Sequence, residues 1–320
     1  MNQQMNLHGV RMWVTEGCNA SCHFCLNAKA RGMSSMEIER FQRLCEYFSF
    51  HRFDKIAIMG GEPTLHPDFN SIMQIAQKYF NQVYLFTNAL EYDQLLLYEP
   101  RNQDVIVYNS LFADKLSEDK LLLSKSGKRV LDVVVDSSSE IKSIAGSVGR
   151  LLNEFGNRVA AQIVINNNCN IFSEKDVIVQ KINELYDLLS SIKGSNVTFS
   201  CNVPVCFTEG TQLPPFTDNF VCSPNAVLID ADYNLRFCNI YSEQLVNLFR
   251  NDAIIPFAVL KNYIRLAYEK MQVDCLSKIC CDCLYYDLKC NGKCFIGQTI
   301  ISRKDVENNT NLLWLKKQQL

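Results

Sequence analysis

From residue 9 to about residue 202, short apolar runs alternate with longer amphipathic ones. The runs Val10 to Thr15, Lys55 to Met59, Gln82 to Thr87, Val105 to Tyr108, Val130 to Val135, Ala160 to Ile165 and Val197 to Ser200 have the length and β-branched content of buried strands. Between most of them apolar residues recur at helical spacing, as in Phe41, Leu44, Cys45 and Phe48, in Ile72, Met73, Ala76 and Phe80, and in Ile178, Ile182, Leu185 and Leu189. Repeated strand–helix units with near-continuous apolar strands predict an α/β fold, a parallel sheet with helices outside it. Six or seven such units fit a complete or partial barrel. A dinucleotide fold is disfavoured, because no G-x-G-x-x-G follows the first strand.

After Pro204 the rhythm changes. Residues 205 to 225 read as a loop carrying Gly210, Pro214, Pro215 and Pro224; Val227 to Cys238 reads as a hairpin turning at Asp232, Tyr233 and Asn234, and an amphipathic helix is expected over 254 to 271. These features place a domain boundary near residue 205, with units at 1–205 and 206–320. The N-terminus lacks a signal peptide and no apolar run is long enough to span a bilayer, so a cytoplasmic protein is expected, without a membrane partner. The first strand begins about ten residues in, and no N-terminal leader-binding domain is expected.

Cysteine changes the picture most. Fifteen occur in 320 residues, an odd number in a chain without an export signal, so metal ligation is favoured over disulfides. Balanced charge, 32 basic against 34 acidic side chains, gives no electrostatic footprint for nucleic acid.

Two motifs fall where strands one and two end, at the rim on which barrel enzymes assemble their sites. Cys18, Cys22 and Cys25 can ligate three irons of a [4Fe-4S] cluster and leave the fourth open, or they can pack as ordinary cysteines or hold zinc with His23. Gly60-Gly61-Glu62-Pro63 offers bare backbone and a carboxylate suited to an ammonium group. A tight turn with a surface Glu is the plainer alternative.

Together, C-x3-C-x2-C with Phe24 before the third cysteine, and GGEP after strand two, resemble the radical SAM superfamily. The resemblance implies a partial (β/α)6 TIM-like barrel that cleaves S-adenosylmethionine to a 5'-deoxyadenosyl radical, which then takes hydrogen from a substrate. It implies that Cys18, Cys22 and Cys25 hold the cluster, that Phe24 contacts the adenine, and that Gly60, Gly61 and Glu62 meet the methionine amine. Asn88, Asn109 and Ser110 are further candidate cofactor contacts. Thr87-Asn88-Ala89 stands where the family often has T-N-G, so a glycine is missing.

The C-terminal cysteines, Cys222 and Cys238 around the hairpin and then Cys280, Cys283, Cys290 and Cys294, could form a zinc ribbon on spacing alone. Behind such a barrel they resemble the SPASM extension, a cysteine-rich hairpin plus helix with auxiliary [4Fe-4S] clusters. By that analogy one cluster takes Cys222, Cys238 and Cys294, the other Cys280, Cys283 and Cys290, with Cys206 and Cys275 the nearest fourth ligands, or an iron left open for substrate in their place. Three departures stand out: six residues separate Cys283 from Cys290 where the family usually has five, Tyr233 replaces the usual hairpin glycine, and no cysteine follows Cys294.

Cys45 is expected in the core, whereas Cys169 and Cys201, at strand ends, are candidate catalytic hydrogen donors. His66 reads as structural, and Asp136, at the end of strand five, as a helix N-cap before Ser137 to Ser139 or else as a base or hydrogen-bonding group in the pocket. The resemblance implies an oxidoreductase or maturase acting on a ribosomally made peptide (a RiPP precursor), by crosslinking, oxidation or epimerisation. It further implies an electron donor such as flavodoxin or ferredoxin and, for a peptide, a separate leader-binding protein. The alternatives are modification of a small sugar, aminoglycoside or cofactor precursor, and a non-enzymatic zinc or iron-sulfur protein.

Overall fold

Strand β1 (Gly9–Thr15) shows how the alternation builds the molecule: Val10, Met12 and Val14 enter the main hydrophobic cluster, while Arg11 and Trp13 lie on the opposite face. A computed structural model describes residues 7–25, 32–110, 125–166, 174–200, 203, 226–236, 244–274, 276–277 and 300–301. Strands β2 (Lys55–Gly60), β3 (Gln82–Thr87), β4 (Val105–Asn109), β5 (Lys128–Val135), β6 (Val159–Ile165) and β7 (Val197–Phe199) follow β1 in chain order, each parallel to the one before. Ile56 and Ile58, Val83 and Leu85, Leu131 and Val133, and Ala161 and Ile163 continue the outer row begun by Val10 and Met12.

Helices cover that row. α1 (Ile38–Phe50) buries Phe41, Leu44, Cys45 and Phe48, and α2 (Phe69–Tyr79) buries Phe69, Ile72, Met73 and Ala76. After the short α3 (Tyr92–Leu97), α4 (Ile141–Phe155) and α5 (Lys175–Ser190) present Val148, Leu151 and Leu152, and Ile178, Ile182, Leu185 and Leu189, to the same cluster. Each large side chain so buried contributes about 1.5–3 kcal/mol. Helices on one side and an inner face on the other give the partial TIM-like barrel expected from the periodicity. Cys45 is fully buried on α1, and burial pushes its thiol well up, as befits a core residue.

The sheet continues past β1 on its other edge. β8 (Ala226–Ile229) pairs parallel to β1, and β9 (Asn234–Arg236) and β10 (Gln244–Asn247) extend it antiparallel. The expected hairpin is therefore present as β8 and β9, and it forms part of the barrel's own ten-stranded sheet. Asp230 closes its turn, accepting from the backbone of Asp232 at 3.1 Å and Asn234 at 2.8 Å and from Arg236 Nε at 2.7 Å. Two small ribbons follow, β11 (Phe249–Arg250) with β12 (Ala253–Ile254), and β13 (Leu276–Ser277) with β14 (Ile300–Ile301). The last described helix, α6, spans Phe257–Asp274, three residues later than expected at its start. Ala253 and Ile254 are used in the ribbon, and Pro256 accepts the first-turn amides of Val259 and Leu260.

Candidate active site

The ends of β1, β2 and β3 are fastened together by backbone and buried polar contacts. Gly61 N donates to Thr15 O at 2.8 Å and Glu62 N to Gly17 O at 2.7 Å, so the ladder between β1 and β2 runs on into the loop that begins at Cys18. This approach needs two glycines. Gly60 sits at φ +146°, and a Cβ on either Gly60 or Gly61 would collide with the backbone of Thr15 or Gly17. The bare backbone predicted to approach a ligand thus first serves to press the GGEP turn against the cysteine loop.

Glu62 is almost wholly buried. Its Oε1 accepts from Thr64 Oγ1 at 2.6 Å, Thr64 N at 3.2 Å and Thr87 Oγ1 at 2.7 Å, and its Oε2 from Asn88 N at 2.7 Å. Burial pushes this carboxyl up, and the donors of Asn88, Thr64 and Thr87 pull it back toward the charged form. Its first evident task is to tie the end of β2 to that of β3, which excludes the surface-Glu reading. Asn88 carries the chain of contacts onward: its Nδ2 donates to Asn19 Oδ1 at 2.8 Å, and Asn19 Nδ2 donates to Glu91 Oε1 at 2.9 Å. Asn88 therefore reaches into the cysteine loop. Ala89, in the place of the missing glycine, has φ +58°, the left-handed region that glycine would occupy more easily.

Cys18, Cys22 and Cys25 lie on this loop with thiols partly open to solvent, and Cys25 N donates to Cys22 O at 3.1 Å. Phe24 is half-buried beside the His23 ring, centroid to centroid 5.0 Å. His23 has a partner that its sequence position does not reveal. Its Nε2 lies 3.3 Å from Asp136 Oδ2, just past the end of β5, and Asn166 Nδ2, just past β6, donates to the same oxygen at 2.9 Å. Asp136 also accepts from Ser138 N, Ser138 Oγ and Ser139 Oγ. Although burial works against the charge, these bonds from Asn166, Ser138 and Ser139 hold the carboxyl well below the usual range. The N-cap expectation for Asp136 is corrected here: α4 begins at Ile141 with Glu140 at the cap, and Asp136 instead closes a turn and faces the cysteine loop. No sequence signal links residues 23 and 136; only the closing curve of the barrel rim brings them together.

His66 is structural as expected. Its Nε2 is 2.9 Å from Met36 O, and its Nδ1 accepts from Asp68 N at 3.0 Å. Asn109 ends β4 and Ser110 follows it, both half-buried at the rim. The remaining cysteines singled out, Cys169, Cys201, Cys206, Cys222, Cys238, Cys275, Cys280, Cys283, Cys290 and Cys294, lie outside the described residues.

Residues 12–109, which contain every contact between the β1, β2 and β3 ends, match the Radical SAM superfamily. Over 72 residues the chain is 38% identical to the GTP 3',8-cyclase of Haemophilus ducreyi, a stretch that spans 20% of each protein. Among solved structures, Streptococcus suis SuiB bound to S-adenosylmethionine shares 13% identity at a TM-score of 0.59, covering 87% of this chain and 70% of SuiB. Native anSMEcpe with bound AdoMet and a peptide shares 14% identity at a TM-score of 0.59, covering 98% of this chain and 99% of the other. The cofactors that go with this match are S-adenosylmethionine and a [4Fe-4S] cluster. The residues fit them. Three partly exposed thiols share one loop, the number that holds three irons of a cube and leaves the fourth open.

Proposed function

We propose that the protein is a radical SAM enzyme acting on a peptide. The observation that carries this reading is the bolted rim: Gly60, Gly61 and Glu62 hold the Cys18–Cys25 loop in place through Thr15, Gly17 and Asn88. When bound, a reduced cluster supplies the electron that splits S-adenosylmethionine and releases the hydrogen-abstracting adenosyl group.

The chain's own residues do the rest. Cys18, Cys22 and Cys25 are one thiolate short of the four that a cube normally takes, which leaves an iron for the cofactor's amino-acid end. The backbone at Gly60 and Gly61 and Oε2 of Glu62, which accepts one hydrogen bond against three at Oε1, would meet that end. Phe24 offers a ring to the adenine, and Asn109 and Ser110 offer polar groups beyond it. Asp136, itself held by Asn166, meets His23 and so keeps the far side of the cysteine loop against the rim.

A peptide substrate is favoured by the fold relatives, since solved forms of both SuiB and anSMEcpe contain peptide and the latter matches almost end to end. SPASM-type auxiliary clusters on the C-terminal cysteines, and an oxidative crosslink as the outcome, belong to the same proposal. The test is anaerobic reconstitution, reduction with dithionite, and chromatography for 5'-deoxyadenosine. The wild type should form it and Cys22→Ala should not; bound zinc with no 5'-deoxyadenosine would refute the proposal.

A further inference from the structure

The inner face of the barrel carries a polar row that the cofactor reading uses only at Asn109. On β5, Leu131, Val133 and Val135 point to the helices and belong to the main cluster, so Val130, Asp132 and Val134 point the other way. Sheet register sets Asp132 beside Asn109 of β4 on one side and Gln162 of β6 on the other, and sets Gln162 beside Thr198 of β7. The neighbouring residues of that face, Val107, Val130, Val134, Ala160 and Val164, are apolar. Asn109 is the last residue of β4, whereas Asp132 and Gln162 lie three residues before the ends of β5 and β6, so the row sits inside the barrel below the rim.

Asp132 is the anomaly in this row. Its Oδ1 is buried and has no hydrogen-bond partner, although the residue as a whole keeps a fraction of its surface. Burial alone pushes its carboxyl up to about 7. Strand alternation puts Lys128 on the same face of β5, but exposed at the far end of the strand, and Arg11 on β1, four strands away, while Arg236 is held by Asp230 at 2.7 Å. No described cation answers Asp132. An unpaired buried carboxylate costs stability, and such groups in an apolar wall mark the places where a ligand's polar group is fixed. Asp136 makes the contrast: four residues further along the chain, it is surrounded by donors.

We infer that Asp132 is the anionic anchor of the substrate site, receiving an ammonium or guanidinium group of the substrate between Asn109 and Gln162. This rests on the reading of the protein as a peptide-acting enzyme and sharpens it to a peptide carrying a lysine- or arginine-like side chain near the reacting position. Asn109 and Gln162 each present an amide oxygen as well as an amide N–H, so both can share the donors of such a group with the carboxylate. A neutral side chain of equal length would fill the apolar wall and leave the carboxylate without a counter-charge.

The test is calorimetric titration of the reconstituted full chain, with S-adenosylmethionine but no reductant, using N-acetyl-glycyl-lysyl-glycinamide and its norleucyl counterpart. The wild type should bind the lysyl peptide about tenfold more tightly or better, the usual worth of a charge-assisted bond. Asp132→Asn should bring the two peptides within about twofold of each other, because the charge is gone while the shape remains. Equal affinities in the wild type, no binding of the lysyl peptide, or an undiminished preference in Asp132→Asn each overturns the inference. The wild-type comparison decides the matter even if the variant fails to take up iron. 5'-Deoxyadenosine measured separately on the same wild-type preparation tells failure of this inference from failure of the enzymatic reading.

Discussion

The two halves of the barrel rim are finished differently. Around the ends of β1, β2 and β3 the buried carboxylate, Glu62, is held by four donors from Thr64, Thr87 and Asn88. Across β4, β5 and β6 the buried carboxylate, Asp132, has an oxygen with none. A site for an invariant ligand gains from a frame that is complete before the ligand arrives, since no reorganisation is then needed on binding. A site whose polar group waits for its partner spends stability to keep selectivity, because the wrong partner leaves the group unpaired. On the proposed reading the first half serves a cofactor and the second a substrate.

The largest effect expected from breaking the finished half is at its cysteines. Replacing Cys18, Cys22 and Cys25 together by Ala should remove about four irons per chain and all cleavage of S-adenosylmethionine. Iron analysis and 5'-deoxyadenosine yield check this, and unchanged iron would refute the ligand set. Next comes Glu62→Ala, which strands buried donors on Thr64, Thr87 and Asn88 and should cost about 3 kcal/mol or more in urea unfolding. A cost under about 1 kcal/mol would mean that the donors find water and that Glu62 does not brace the rim.

In the unfinished half the comparison is sharpened by pH. The Asp132 carboxyl is raised from 3.8 to about 7 on folding, so between these values the folded protein holds a proton that the unfolded chain has released. Stability should therefore fall as pH rises through that window, by less than about 1.4 kcal/mol per pH unit given the residue's partial exposure. Asp132→Asn should remove this part of the slope; parallel profiles for the two proteins would show that Asp132 is not desolvated.

The smallest effects are at two left-handed backbone positions, Ala89 at φ +58° and Tyr233 at φ +67°. Ala89→Gly should stabilise by about 1 kcal/mol, since relief of strain is the main change. Tyr233→Gly should destabilise despite the same backbone relief. Glu37 N donates to the Tyr233 hydroxyl at 2.8 Å, serving an amide at the start of α1, and the ring packs edge-on to Phe249 and lies under Arg40. Thermal melts of both variants check the pair.

These two positions also show what the sequence can and cannot convey. The missing glycines were visible as departures from a motif, and the backbone at both is indeed of the kind glycine adopts. What could not be read was the compensation at Tyr233, because Glu37 and Phe249 reach it only through the fold. The strands and helices of the barrel followed from periodicity, since the two faces of each strand meet such different surroundings. The pairing of β8 with β1 did not, because a hairpin's alternation says nothing of which edge it joins. Likewise the cysteine loop and GGEP announced themselves by spacing, whereas His23–Asp136 and the row Asn109–Asp132–Gln162 depend on register between strands far apart in the chain.

The account rests on an iron left open for S-adenosylmethionine at the loop of Cys18, Cys22 and Cys25, and electron paramagnetic resonance of the dithionite-reduced protein tests it most directly. Subtracting the spectrum of the triple Cys→Ala variant from that of the wild type isolates the signal of this loop. A reduced [4Fe-4S] signal that changes shape when S-adenosylmethionine is added is the predicted result. A difference spectrum with no such signal, or one indifferent to S-adenosylmethionine, would contradict the account.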